Sequence, residues 1–409
     1  DGIAARGTRF QNAFVTTAIC CASRASILTG MYTRTHGIDD FSTPLPGPLA
    51  EQTYTALLRR SGYRTGFIGK WGLGGELPTN GFDYFRGFTG QGKYFPEPND
   101  VGRHLTLTMG DQALDFIDEC AADTPFCLSV SFKAPHVQDD DPRQFLYDPA
   151  LKDLYAGIRI PRAPASRAED FAALPEFVRE SEGRVRWHKQ FATDAMHEKS
   201  VRSYYRLITG LDRTVARIVD ALERAGLADN TVILFTSDNG MFLGEHGMAG
   251  KWLMYEESIR VPMIICDPRT RPSRRVRDEM VLNIDLAPTI LKLAEIPAPR
   301  NMQGRSMTTL LRERRPKWRK EWFYEHHFAN EGNPYIPACE GVRRERFKYT
   351  RYVDRGPEVE FLYDLRRDPH ELHGGVKRNR VELRERWQVW RDSLRRWDEP
   401  AAVTWTEPA

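Results

Sequence analysis

The sequence predicts an α/β fold: a mixed, mostly parallel sheet flanked by helices, followed by a smaller C-terminal α+β subdomain. Three observations lead there. Apolar, β-branched runs alternate with segments of helical period. The runs TVILFT and VPMIIC are apolar at successive positions, as in strands covered on both faces. After about Pro297 the composition turns strongly Arg-rich and the alternation gives way to short strands and a closing helix. The expected division is residues 1–310 for the α/β domain and 311–409 for the subdomain, with a small antiparallel sheet.

Residues 63–69 read as a short strand leading into Lys70-Trp71-Gly72-Leu73-Gly74. Residues 126–132 are a second, ending at Ala134-Pro135-His136. The stretch 138–199 is polar, charged and Pro-rich with weak periodicity, a long path over the core of the kind that shapes binding sites. Val201, Tyr205, Ile208, Leu211, Val215, Ile218 and Leu222 recur at helical spacing, and Gly226 is the stop. Residues 231–236 form a strand ending at Ser237-Asp238-Asn239-Gly240, and 261–266 another. Residues 282–293 read as a helix in which Pro288 is expected to make a kink. Residues 342–352 and 360–365 suggest short antiparallel strands, and 381–397 a final helix.

Composition narrows the function. The chain has 409 residues, 41% hydrophobic and 28% charged, which excludes a disordered chain or a fibre. No apolar run approaches the ~20 residues of a membrane helix. Lys+Arg 59 against Asp+Glu 56 gives +3, too small a bias for a broad nucleic-acid surface but compatible with a local basic pocket for a small anion. The six cysteines form no CxxC pair and no disulfide frame.

Ligands of open α/β sheets sit beyond the carboxyl ends of the strands, where several polar strings fall. Read alone, Cys20-Cys21-Ala22-Ser23-Arg24 is a helix start with two buried thiols. Asp238-Asn239-Gly240 is a turn, or a pair of hard oxygen donors for Ca²⁺ or Mg²⁺. Lone lysines such as Lys70 and Lys251 are ordinarily surface charges, and His136 is a turn residue or an acid–base group. His246 lines a pocket or serves structure. His326 and His327, with Tyr324 and Glu325, form a polar loop edge or a substrate subsite. Arg186, Trp187 and His188 suit either sugar stacking or structure.

In order along the chain these strings make a pattern. The first matches Cys-x-Pro/Ala-Ser-Arg followed by a small-residue helix and Thr29-Gly30. Gly62-Tyr63-Arg64-Thr65 with Gly69-Lys70-Trp71, then Gly81-Phe82-Asp83-Tyr84-Phe85, then Ala134-Pro135-His136 follow. Ser237-Asp238-Asn239-Gly240, Gly244-Glu245-His246-Gly247, Lys251 and Tyr255-Glu256-Glu257 through Arg260-Val261-Pro262 come next, and Tyr363-Asp364-Leu365 with Asp368-Pro369 and Glu371 closes the series. On these motifs the chain resembles the type I, formylglycine-dependent sulfatases of the alkaline phosphatase superfamily.

The resemblance implies an alkaline-phosphatase-like core and a sulfuric ester hydrolase, with a sulfated carbohydrate as the expected substrate. It implies that Cys20, not Cys21, is oxidised to formylglycine by a maturation enzyme, because Ser23 and Arg24 follow at plus three and plus four. One hydroxyl of the hydrated aldehyde attacks sulfur and the other expels sulfate. Arg24, Lys70, His136 and Lys251 become catalytic candidates, His246 a substrate contact, and Asp238, Asn239 and the converted Cys20 ligands to Ca²⁺ or Mg²⁺. A periplasmic or secreted location is implied by the family alone.

Three departures carry expectations. The family strand ending in two aspartates is expected ahead of Asp1, so Asp238 and Asn239 alone should bind metal weakly. The family histidine of GKWHLG is Gly72, for which His246 is a candidate substitute, and the usual proline of the oxidation motif is Ala22. The rival readings are a phosphonate monoester or phosphodiester hydrolase, and an inactive, degenerate fragment.

Overall fold

The computed structural model describes residues 2–96, 102–120, 124–270, 275–328, 335–354, 359–375, 379–399 and 405–408. In chain order, the elements that position the site are β1 (Thr8–Phe10), α1 (Cys20–Thr29), α2 (Tyr54–Arg60), β2 (Arg64–Lys70), β3 (Tyr84–Phe88), α3 (Leu105–Asp118), β4 (Phe126–Ser131), α4 (Asp194–Arg224), β5 (Ile233–Thr236), β6 (Met263–Cys266), β7 (Arg275–Arg277) and α5 (Leu286–Leu293). The C-terminal part adds β8 (Glu321–His326), β9 (Cys339–Arg344), β10 (Phe347–Tyr352), β11 (Val359–Asp364) and α6 (Arg380–Ser393).

The α/β part holds two sheets, ordered β3-β2-β4 and β7-β1-β6-β5. In the first, β2 pairs in parallel with both neighbours, Gly66 opposite Tyr84 and Leu128. In the second, β1 is parallel to β7, whereas β6 runs antiparallel to β1 and β5. The fold is therefore mixed, with β6 as the strand that reverses. The packing of α3 on the first sheet explains the apolar β2 and β4: Phe116 of α3 is fully buried among Ile68, Tyr84 and Phe126. Burying one such ring contributes about 1.5–3 kcal/mol.

Between the two sheets lies a cavity of about 1230 Å³, lined by β4 and β5, by Ile208, Leu211, Val215 and Ile218 of α4, and by Ile290 of α5. It explains how α4 departs from its expected pattern. Val201 and Leu222 are buried as the spacing requires, but Ile208 is 40% exposed and Leu211, Val215 and Ile218 only half-buried. The helix is also longer than its apolar repeat. It starts at Asp194, where the Thr193 hydroxyl accepts from the Met196 amide (3.2 Å), and stops before Gly226 (φ +70°).

The kink expected at Pro288 is absent. α5 begins at Leu286 after a short 3₁₀ turn, so Pro288 falls in its first turn, where a missing N–H breaks no intrahelical bond. The expected strand 342–352 is a hairpin, β9 and β10 turning at Glu345 and Arg346. The segment around His326 is corrected too. It is no loop edge: β8 is buried at all six positions, and its charges are met by partners. Arg344 and Arg386 pair with Glu321, and the Trp390 indole of α6 donates to Glu321 (2.9 Å). The antiparallel sheet β8-β9-β10-β11 shares a core with the first part of the chain, Trp322 stacking on Phe14 at 5.2 Å.

Candidate active site

The carboxyl ends of β2, β4 and β5 and the start of α1 meet at one end of the cavity. Cys20 is the first residue of α1, and Ile19 before it is extended, so Cys20 faces the free N–H groups of a helix start. Lys251 Nζ donates to Cys20 Sγ at 3.2 Å and lies 3.1 Å from His136 Nε2. His136 Nδ1 meets the Val137 carbonyl at 2.8 Å, which places its proton there and leaves Nε2 to accept from Lys251.

Arg24, one turn along α1, gathers the strand ends. Its Nε and Nη2 donate to Asp238 Oδ2, both at 2.8 Å, and its Nη1 to the Lys70 carbonyl at 2.5 Å and to Ser131 Oγ. Lys70, at the end of β2, donates to Gln91 Oε1 at 2.6 Å. Asn239 spends its Nδ2 on the Gly240 carbonyl (2.7 Å), which turns Oδ1 toward Cys20 Sγ at 3.9 Å.

The site is cationic. Burial alone would raise the Cys20 thiol, but Lys251, Lys70 and Arg24 outweigh it and hold it below its ordinary value. Burial, then Lys251, Lys70 and Lys133, push His136 well below 6.5, so it is a neutral ring. Burial also lowers Lys70, with Arg24 and Lys251 adding to the shift. Asp238, although buried, is held down by Arg24, Lys70 and Lys251. Cations around a thiol at a helix start form a pocket for a tetrahedral oxyanion.

The structure thus brings together Cys20, Arg24, Lys70, His136, Asp238, Asn239 and Lys251. His246 it does not bring. That ring is fully buried against Tyr255 (4.3 Å) and Phe242, with Nε2 3.7 Å from Glu257, and is not part of the cavity lining. The structure therefore does not place it beside Cys20 with the other candidates. Gly72 has φ +77°, and a Cβ there would lie 2.7 Å from Arg24 Cδ. The space for a side chain at this position is taken by Arg24.

Lys133, Gln91 and Ser131 escaped the sequence reading. Lys133 Nζ donates to the carbonyls of Gln91 and Val137, both at 3.0 Å, and burial pushes it down to about 8. Its one signal was its place immediately before Ala134-Pro135-His136. Gln91 and Ser131 carried none.

For a divalent cation, Asp238 and Asn239 offer oxygens beside Cys20. Ca²⁺ takes six to eight oxygens and Mg²⁺ six, so two donors among cations are part of a set and not a cage. Glu325, His327 and Glu340 form a second cluster of ligand type. Arg34 already fills it, pairing with Glu325 at 3.1 Å and with Glu340, while His327 meets Glu340 at 2.9 Å.

Comparison with known proteins adds independent findings. A sulfatase family model matches residues 1–296, and the model for the C-terminal part of N-sulphoglucosamine sulphohydrolase matches 244–388. An N-acetylglucosamine-6-O-sulfatase of Bacteroides thetaiotaomicron is 29% identical, over 91% of this chain and 77% of its own. An arylsulfatase of Clostridium perfringens is 28% identical over 96% and 87%. A solved structure in complex with its substrate D-glucosamine-2-N,6-O-disulfate superposes with a TM-score of 0.80 at 25% identity, covering 96% of this chain and 91% of that one. A phosphonate monoester hydrolase from Silicibacter pomeroyi, at 22% identity, shares the fold with a TM-score of 0.77 over 96% and 89%.

Proposed function

The chain belongs to the sulfatase family and is a sulfuric ester hydrolase of alkaline-phosphatase-like fold; from that premise we propose that it removes sulfate from a sulfated saccharide, with Cys20 as the residue converted to formylglycine. The observation that carries this is the triad of contacts at Cys20: Lys251 at 3.2 Å, His136 behind Lys251, and Arg24 one helical turn away. The relatives that act on sulfated glucosamine support the choice of a saccharide.

The family uses a formylglycine, whose hydrate supplies paired hydroxyls for attack on sulfur and release of sulfate, and a divalent metal. Everything else is the work of this chain's own side chains. Lys70, which gives one donor to Gln91, has others for the oxygens of the sulfuryl group, and Arg24, held on Asp238, Ser131 and the Lys70 carbonyl, adds its positive charge beside them. Lys251 lies between the nucleophile and His136, so it holds a proton within reach of both. Neutral His136, its Nδ1–H fixed on Val137, accepts from Lys251 at Nε2 and so orients that ammonium, which is the group that holds a proton for the leaving oxygen. Asp238 and Asn239 are the oxygen ligands this chain contributes to Ca²⁺ or Mg²⁺, with further oxygens needed to complete the shell.

The test is turnover of 6-sulfated N-acetylglucosamine, an aryl sulfate and an aryl phosphonate by protein co-expressed with a formylglycine-generating enzyme. Sulfate release above phosphonate cleavage is expected, together with an aldehyde mass at Cys20 and loss of at least a thousandfold in Cys20→Ala. Undiminished turnover in that variant would overturn the assignment.

A further inference from the structure

Two chain segments must be held in register for Cys20 and Lys251 to meet, and they are 231 residues apart. The Lys251 loop is an unusual backbone. Gly250 has φ +90° and Trp252 has φ +86°. A bulky residue in that region is an outlier, and it persists only where its surroundings fix it. The surroundings include one hydroxyl from the C-terminal sheet. Tyr324 of β8 is fully buried, accepts the Ala18 amide at 3.2 Å and donates to the Trp252 carbonyl. Ala18 lies two residues before Cys20, and Trp252 directly follows Lys251. The other backbone links between these parts, Val15 to Ile259 and Val261 to Ala13, are more distant from Cys20 in sequence.

We infer that Tyr324 is a positioning residue: its hydroxyl latches the segment that carries the nucleophile to the strained loop that carries Lys251, so the C-terminal sheet completes the active site without touching substrate. The inference rests on the assignment of Cys20 and Lys251 to catalysis. The phenol suits both duties. Burial raises it well above its ordinary value, so it stays protonated and donates to Trp252 while its lone pair takes the Ala18 N–H. Phenylalanine keeps the ring packing against Trp322 and loses both bonds. The consequence is specific. Without the latch, Trp252 relaxes, Lys251 drifts from Cys20, and the chemical step slows while Arg24 and Lys70 keep their places and their charge.

The experiment compares Tyr324→Phe with Tyr349→Phe, whose hydroxyl meets Glu360 and not the site. With an aryl sulfate, Tyr324→Phe is expected to lower kcat tenfold or more with KM within threefold, and Tyr349→Phe to change kcat less than twofold. In protein made without the maturation enzyme, Cys20 remains a thiol, and the pH midpoint of its alkylation by iodoacetamide reports the Lys251 contact. That midpoint should rise by at least half a pH unit in Tyr324→Phe and stay put in Tyr349→Phe. Unchanged kcat and an unchanged midpoint overturn the latch. A raised midpoint in the thiol protein, with no sulfate release from the parent carrying the aldehyde at Cys20, keeps the latch and overturns the reading of function. If Tyr324→Phe does not fold, hydrogen exchange on the parent decides: an Ala18 amide exchanging as fast as an exposed loop amide overturns the proposal, and strong protection upholds it.

Discussion

At the scale of single residues, the site is governed by the space around Arg24. Its guanidinium bonds Asp238, Ser131 and the Lys70 carbonyl, tying together the ends of three strands. That reach is open because position 72 is glycine: the backbone there is left-handed, and a Cβ would press on Arg24 Cδ at 2.7 Å. Gly72→Ala should therefore cost about 1–3 kcal/mol of stability, and it should lower kcat/KM at least tenfold as Arg24 gives way. Thermal unfolding and aryl sulfate turnover check this, and parent-like values in both would refute it. The same residues show what could be read beforehand. Cys20, Arg24, Lys70, His136, Asp238, Asn239 and Lys251 sit where a strand ends or a helix starts, in short strings whose order along the chain is informative. Tyr324 and Gln91 act through hydrogen bonds to residues elsewhere in the chain, which no local string encodes. For His246 the string left a pocket role and a structural role open, and the ring packs beside Tyr255 at 4.3 Å, a neighbour no local string encodes.

At the scale of elements, apolar runs and periodicity revealed β2, β4, β5, β6 and α4, because each buries a face against another layer. They failed for β8. Its sequence, Glu321-Trp-Phe-Tyr-Glu-His326, is half polar, yet it is buried because Arg34, Arg344, Arg386 and the Trp390 indole of α6 satisfy its carboxylates. A buried strand of this kind depends on partners that only the tertiary fold supplies. The two faces of α4 and α3 give a second prediction. Phe116 is enclosed on all sides, whereas Ile218 borders the cavity between the sheets. Phe116→Ala should cost about 3–5 kcal/mol. Ile218→Ala removes fewer contacts and should cost about 1 kcal/mol. Urea unfolding of the two variants tests the contrast. Equal losses would mean that the cavity is closed in solution and that α4 packs there as tightly as α3 does.

At the scale of the whole molecule, stability is coupled to pH through histidines that the fold keeps neutral. Burial pushes His36 and His326 down to about 3, and His136 lies well below its ordinary value through burial and the neighbouring lysines. Their surroundings agree. The His36 Nδ1 accepts the Ile38 amide at 3.0 Å, and its Nε2 faces Ser26 Oγ at 3.1 Å, so a second proton would break a bond. Neither nitrogen of His326 has a partner among the described residues, so a charge there would be buried without compensation. In the unfolded chain each ring titrates near 6.5. Between about pH 6.5 and 3 the unfolded state therefore binds protons that the folded state refuses. The contribution of these rings is at its full value above pH 6.5 and declines as pH falls below it, by up to about 1.4 kcal/mol per pH unit for each, while Glu371, pushed up to about 7 by burial, works in the opposite sense. Asp238, held low by Arg24 and the two lysines, adds a loss of the same sign at the acid end of this range. Urea midpoints measured from pH 7.5 to 4.5 in the parent and in a His326 variant isolate the share of one ring. His326→Phe, which places a ring beside Phe328 and removes that site, should raise the stability relative to the parent by up to about 1.4 kcal/mol per pH unit below pH 6.5. An equal pH dependence in parent and variant would show that His326 takes up its proton in the folded state as readily as in the unfolded chain.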